Sequence, residues 1–180
     1  IDSLNKEFKT KRKKFRILKS AEVNILKNGS LDISDSILSK LDVVGVAVHS
    51  NFKMSRKEMT NRITKALKNP HVDILFHPTG RLINQRPPYE VDMEQVIKAA
   101  KLYRVALEIN AYPERSDLCD EYVRLAVKHG AKLVIDTDTH TPEHLRYIEL
   151  GEAIARRGWA EKKDILNTLP VERLLAHFKK

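Results

Sequence analysis

Five ionisable side chains of this 180-residue chain stand in or just beyond short apolar runs. His49 follows Val43-Val44-Gly45-Val46-Ala47-Val48, and His77 follows Val72-Asp73-Ile74-Leu75-Phe76. Asp138 and His140 come shortly after Lys132-Leu133-Val134-Ile135, and Glu22 lies within Ala21 to Leu26. Imidazole and carboxylate together suit zinc, manganese or iron in centres of two or three ions, and such centres carry out hydrolysis. A lone histidine after an apolar strand is more often a hydrogen-bonded turn residue, and a lone glutamate more often faces solvent. Here the pattern recurs at four strand ends of five, which favours a metal site over coincidence. An Asp-x-His pair on an extended segment places both side chains on one face. Neighbouring parallel strands lie about 4.8 Å apart, so adjacent strand ends can share an ion. Arg81 and Arg115 follow His77 and Asn110. A guanidinium beside a metal centre clamps phosphate oxygens, the alternative being a salt bridge within the loop. Lys53 is a weaker candidate. His71, His129, His144 and His177 precede a strand or belong to helices, and read as surface or capping residues.

The elements that must position these groups follow from periodicity and punctuation. A helix is expected over 3–13, capped by Ser3. Phe15 to Leu18 and Ala21 to Leu26 read as a broken strand, followed by an Asn28-Gly29 turn and a short helix from Ser34 to Lys40. Ser55-Arg56-Lys57-Glu58 has capping-box spacing and opens a helix to about Lys68. Pro87-Pro88 marks a loop, Asp92 caps a helix to Tyr103, and 105–110 is a strand. A helix from Asp117 stops at Gly130. Thr141-Pro142-Glu143 opens a helix that ends at Gly158, and Pro170 precedes a last helix, 171–178. Strand starts near 43, 72, 105 and 132 repeat at about 30 residues, the size of a βαβ unit. The strands are apolar on both faces, so helices must cover a parallel sheet. An open doubly wound sheet and a segment of a barrel both fit, and both collect functional groups at strand C-termini.

Composition adds bounds. The length suits one domain, and the 42% hydrophobic and 32% charged residues are ordinary for a globular chain. No apolar run approaches the roughly 20 residues of a membrane span, and no signal peptide is evident, so no membrane partner and a cytoplasmic location are expected. The single cysteine, Cys119, cannot form an internal disulfide and reads as a small buried residue of a helix in a reducing compartment. The net charge of +9 fits either a lysine-rich solvated surface or a phosphate-bearing partner. Its densest run is Lys9-Thr10-Lys11-Arg12-Lys13-Lys14.

These residues resemble a known family. Ala21-Glu22-Val23-Asn24-Ile25-Leu26 with Asn28-Gly29-Ser30-Leu31-Asp32 is similar to a glutamate motif of the PHP (polymerase and histidinol phosphatase) domain. Val48-His49-Ser50, His77-Pro78-Thr79-Gly80-Arg81, Leu107-Glu108-Ile109-Asn110 and Asp138-Thr139-His140 follow in the family's order. The His-Pro-Thr-Gly-Arg stretch, Pro88-Tyr89-Glu90-Val91-Asp92, and Arg156-Arg157-Gly158-Trp159 with Asn167-Thr168 resemble the C-terminal PHP domains of bacterial and archaeal X-family DNA polymerases. The resemblance implies an α/β fold: the C-terminal part, about five βα units, of a distorted seven-stranded barrel, with residues 1–180 forming a single domain fragment that lacks the first strands. It implies up to three zinc or manganese ions. Glu22 corresponds to a bridging carboxylate, His49 and His77 to ligands of the second metal, Asp138 to a first-metal ligand and His140 to a third-metal ligand. Glu22 and Asp138 are the implied catalytic carboxylates, and Arg81 and Arg115 the groups for substrate phosphate. The family's early His-x-His motif does not occur in these residues, and Thr139 stands where the family has alanine.

The implied activity is metal-dependent hydrolysis of a phosphoester by metal-activated water, with DNA as substrate at a 3′ end or an abasic site, in DNA repair. The implied partners are DNA and either an N-terminal polymerase domain or a separate chain carrying the absent motif. A small-molecule phosphatase of the histidinol phosphatase type is a second reading. A non-catalytic DNA-binding or scaffold fragment with an incomplete metal site is a third.

Overall fold

The structure, a computed structural model, describes residues 1–179. In chain order the elements are α1 (Asp2–Thr10), β1 (Ser20–Asn24), α2 (Asp35–Leu38), β2 (Val43–Ala47), α3 (Arg56–Leu67), β3 (Ile74–Leu75), α4 (Met93–Tyr103), β4 (Ala106–Asn110), α5 (Asp120–His129), β5 (Leu133–Asp136), α6 (Ile148–Arg157) and α7 (Val171–Phe178). Short 3-10 turns occupy Pro142–Tyr147, Lys162–Asp164 and Leu166–Thr168.

The five strands form one parallel sheet in the order β1-β2-β3-β4-β5. A doubly wound sheet requires that order to reverse at a switch point. It does not reverse here, so the chain is a partial (β/α) barrel, and the open-sheet alternative is excluded.

One face of the sheet carries Val44, Val46, Leu75, Leu107, Ile109, Leu133 and Ile135, packed on apolar residues of α3, α4, α5 and α6. The other face carries Val43, Ile74, Ala106 and Val134, covered by Leu166 and by Phe178 of α7. Side chains at alternate strand positions therefore meet two separate clusters, as strand geometry requires. On this second face a Cβ at Gly45 would lie 1.8 Å from the Phe76 ring, so the ring crosses β2 only because Gly45 has no side chain.

The helix ends follow the sequence closely where side-chain caps exist. Ser55 Oγ accepts the Glu58 N–H, and Glu58 Oε2 accepts the Ser55 N–H at 3.0 Å. Asp92 Oδ1 accepts the Gln95 N–H at 3.1 Å, and Gly130 closes α5 at φ 69°.

Other expectations are corrected. The first helix starts at Asp2 after Ile1 with no side-chain cap, so Ser3 is not the cap, and it stops at Thr10. Arg12 takes φ 52°, turning the chain inside the cationic run. Residues 15–18 form no strand: Phe15 is 64% exposed and packs edge-on against Phe8 instead.

Strand β3 is only two residues long, and side chains supplement the backbone bonds of Asp73 and Phe76 to β2 at its two ends. Asp73 Oδ2 accepts the Val44 N–H at 2.8 Å, and Glu108 accepts the His77 N–H. Asp117 does not begin α5. It is buried, and its Oδ2 accepts the N–H groups of Thr79 and Gly80 at 2.9 and 3.0 Å. The helix begins at Asp120 with Cys119 as N-cap, so Cys119 sits half-buried at the helix mouth rather than buried inside it.

Candidate metal centre

Glu22 on β1 points to the same face as Asn24, two residues on, while Ala21 and Val23 join the cluster under the helices. Register pairing sets Glu22 beside Gly45 and Asn24 beside Ala47. His49 stands two residues past β2 and His77 two residues past β3. Strict strand alternation would set Phe76 and His77 on opposite faces. His77 takes φ 29°, which breaks the alternation and turns the ring toward Glu22. A left-handed residue of this kind is costly and is kept where its surroundings over-determine it. Those surroundings are Glu108 on the His77 N–H, Asp117 on the following turn, and Tyr89, whose hydroxyl donates to Pro78 O at 2.7 Å.

The result is a convergence on one atom. His77 Nε2 lies 2.8 Å and His49 Nε2 3.0 Å from Glu22 Oε1. One ligand atom from each of Glu22, His49 and His77 lies within 4.8 Å of the others. Donor atoms around a zinc ion, each about 2.0–2.2 Å from it, sit about 3.3 Å apart, so the three groups fit a divalent cation. The His77 ring is buried and its Nδ1 has no partner, while His49 Nδ1 lies 2.6 Å from Asn24 Oδ1. Hydrogen bonds from His49 and His77 hold the Glu22 carboxyl far below the usual carboxylate range.

A second carboxylate group lies deeper in the sheet. Glu108 on β4 and Asp136 on β5 lie side by side, and one proton held between them avoids two adjoining charges in the sheet. Burial raises the pKa of both, and for Glu108 the neighbouring Asp136 charge adds to this. Asp117 is raised as well, by burial. With Glu22, His77 and Asp138 these two acids border a cavity of about 510 Å3 whose floor is apolar, with Phe76, Val134 and Phe178. Sequence reading passed over Glu108, Asp136 and Asp117. The available signal was an acid inside an otherwise apolar strand, Leu107-Glu108-Ile109.

Asp138 and His140 do not join the Glu22 group. Asp138 takes φ 48°, so the segment is not extended, and the expectation that both side chains share a strand face fails for that reason. Asp138 Oδ2 instead receives Arg115 Nε at 3.0 Å and Asn110 Nδ2 at 3.4 Å. The His140 side chain is 75% exposed, with Nδ1 3.8 Å from Asp138 Oδ1. Arg81 donates Nε to Arg115 O at 2.8 Å and Nη2 to Ser116 O, which ties it to the loop that carries Arg115. Arg115 Nη1 is buried with no partner.

No family model matches the chain. It is 43% identical over 180 residues to a DNA polymerase/3′-5′ exonuclease PolX of Bacillus subtilis (strain 168), covering 100% of this chain and 31% of that protein. It is 32% identical over 162 residues to a probable phosphatase of Thermoanaerobacter sp. (strain X514), covering 84% of this chain and 64% of the relative. A probable phosphatase of Shewanella amazonensis (strain ATCC BAA-1098 / SB2B) is 30% identical over 171 residues, covering 90% of this chain and 65% of the relative. The chain thus spans a third to two thirds of the length of these relatives. The parallel sheet running in sequence order, the histidine and carboxylate motifs at its strand ends and these matches agree, and the chain belongs to the PHP domain family, in the branch of the X-family DNA polymerases.

Proposed function

We propose that the chain is the metal-binding part of a phosphoesterase that hydrolyses DNA phosphodiesters or 3′-phosphate ends. The observation that carries this reading is the convergence of His49 and His77 on Glu22 Oε1. Glu22, His49 and His77 would hold one divalent ion, zinc or manganese. When bound, such an ion supplies positive charge for phosphoryl oxygens and acidifies water. Glu22 presents the carboxylate between the two rings, and Asp138 is the second acid of the site, oriented by Arg115 and Asn110. Asp138 and His140 form a separate donor pair for a further ion. Arg115, with an unpartnered Nη1, takes a phosphate oxygen, and Arg81 assists by holding the 115–116 carbonyls, with its remaining donors toward phosphate.

DNA as substrate is supported by the name of the polymerase/exonuclease relative and by the +9 charge. The same reading makes residues 1–180 part of one PHP domain that works beside a polymerase domain or a second chain, in DNA repair. A lone cysteine suits the cytoplasm. Among the described residues no helix is long and apolar enough to cross a membrane.

The test is a 3′-labelled oligonucleotide with manganese ions, wild type against His77→Ala. Loss of trimming in the variant is expected, and equal trimming by both sinks the assignment. The matches to probable phosphatases favour a second reading, hydrolysis of small phosphate monoesters. Turnover of such esters with no action on the oligonucleotide selects it.

A further inference from the structure

We infer that Asn24, gripped by Asp32, is a positioning residue that sets which nitrogen of His49 is free to bind a cation; this rests on the metal reading of Glu22, His49 and His77. Asp32 holds Asn24 at two points. Its Oδ1 accepts the Asn24 backbone N–H at 3.0 Å, and its Oδ2 accepts the side-chain Nδ2. A carboxylate only accepts, so the amide nitrogen is committed to Asp32 and the amide oxygen is left facing His49. That oxygen lies 2.6 Å from His49 Nδ1, and it too only accepts. Nδ1 therefore carries a proton, which leaves Nε2, 3.0 Å from Glu22 Oε1, as the nitrogen that would give up its hydrogen bond to Glu22 in favour of a cation.

The alternative tautomer has an obvious attraction, because Nε2–H would donate to the Glu22 carboxylate 3.0 Å away. In that form the ring has no lone pair for an ion beside Glu22. Asp32 and Asn24 oppose that form, because its Nδ1 lone pair would face the amide oxygen at 2.6 Å. The turn between them fixes the relay. Asn28 Oδ1 accepts the Ser30 N–H at 2.9 Å, Gly29 takes φ 79°, and Asp32 N–H returns to Asn24 O at 3.2 Å. Such outer partners orient ligand rings and are worth about 10–100-fold in metal affinity.

The experiment uses the 180-residue chain, with nitrogen-15 long-range spectra of the histidine rings in metal-free protein above the histidine titration range, and manganese binding by calorimetry. The wild type should show His49 protonated on Nδ1. Asn24→Ala should move the proton to Nε2 and weaken manganese binding about 10–100-fold. Asp32→Ala should shift both in the direction of Asn24→Ala, and the exchanged pair Asn24→Asp with Asp32→Asn, which keeps the acceptor for Nδ1 and reverses the donor between the two side chains, should restore both. If Asn24→Ala does not fold, the Asp32→Ala and exchanged-pair spectra decide. A wild-type ring protonated on Nε2, or variants with unchanged tautomer and affinity, overturns the inference. A wild type that takes up no manganese defeats the metal reading instead, and the tautomer spectra still decide the role of Asn24.

Discussion

His77 Nε2 lies 2.8 Å from Glu22 Oε1 although 55 residues separate them in the chain. The contact exists because parallel strands β1 and β3 flank β2 in one sheet and because His77 leaves the strand conformation at φ 29°. It forms one side of the proposed cation site, and that gives a direct thermodynamic prediction. A cation that binds only the folded chain stabilises it by about 2.7 kcal/mol at a concentration 100 times its dissociation constant. Manganese or zinc should therefore raise the melting temperature of the wild type, and His77→Ala should abolish that increment. A variant with the wild-type metal-dependent shift, measured by scanning calorimetry, would show that the ring holds no ion.

The Glu108–Asp136 pair predicts a pH dependence of stability. Both folded-state pKa values lie above the ordinary carboxylate values, so the folded chain retains a proton that the unfolded chain releases. The pair's stabilising contribution is complete in acid below the unfolded carboxylate pKa. It is lost as pH rises through the raised folded values, by up to about 1.4 kcal/mol per pH unit for one proton. Glu108→Gln keeps an acceptor for the His77 N–H and donates to Asp136 without a shared proton. Urea unfolding should show this variant gaining on the wild type as pH rises from acid to alkaline. A constant difference across that range would refute the shared proton.

Gly45→Ala tests the inner face of the sheet. The added methyl would lie 1.8 Å from Phe76 Cε2, so the ring must move. Overpacking of this kind costs about 1–3 kcal/mol. Phe76→Leu combined with Gly45→Ala should recover part of that loss, a coupling visible in a double-mutant cycle. Additive effects would mean the two positions do not meet.

Arg62 is 2% exposed and holds the loops after β1 and β2 together. Its Nη1 donates to Ser50 O at 2.8 Å, its Nε to Leu26 O at 3.0 Å and its Nη2 to Ile25 O. Removing it takes a donor from all three carbonyls beside the strands that carry Glu22 and His49, of which Leu26 O keeps only the Gly29 N–H. Arg62→Ala is expected to cost about 1–3 kcal/mol for each buried carbonyl left without a donor. Arg62→Lys should recover little, because a point charge cannot reach all three acceptors. Chemical denaturation measures both, and a loss below about 1 kcal/mol would remove Arg62 from this role.

The sequence by itself determined the alternation of strands and helices, the capped starts of α3 and α4, and three of the residues that converge. These are local properties: apolar runs, a Ser-x-x-Glu box and side chains at strand ends act over a few residues. Sheet order, and with it the choice between an open sheet and a barrel segment, depends on which strands pair and is not written in any one segment. The same limit hid the buried acids. Asp117 reads locally as a helix start, yet its carboxylate is taken by the Thr79 and Gly80 N–H groups on another strand end. Asp138 and His140 look like a strand-face pair in sequence, but the left-handed turn at Asp138 and its contact with Arg115 keep both apart from the Glu22 group. Residue type thus identified the groups able to bind a cation. Only the tertiary structure decided which of them meet, because backbone departures at His77 and Asp138 are stabilised by partners far away in the chain.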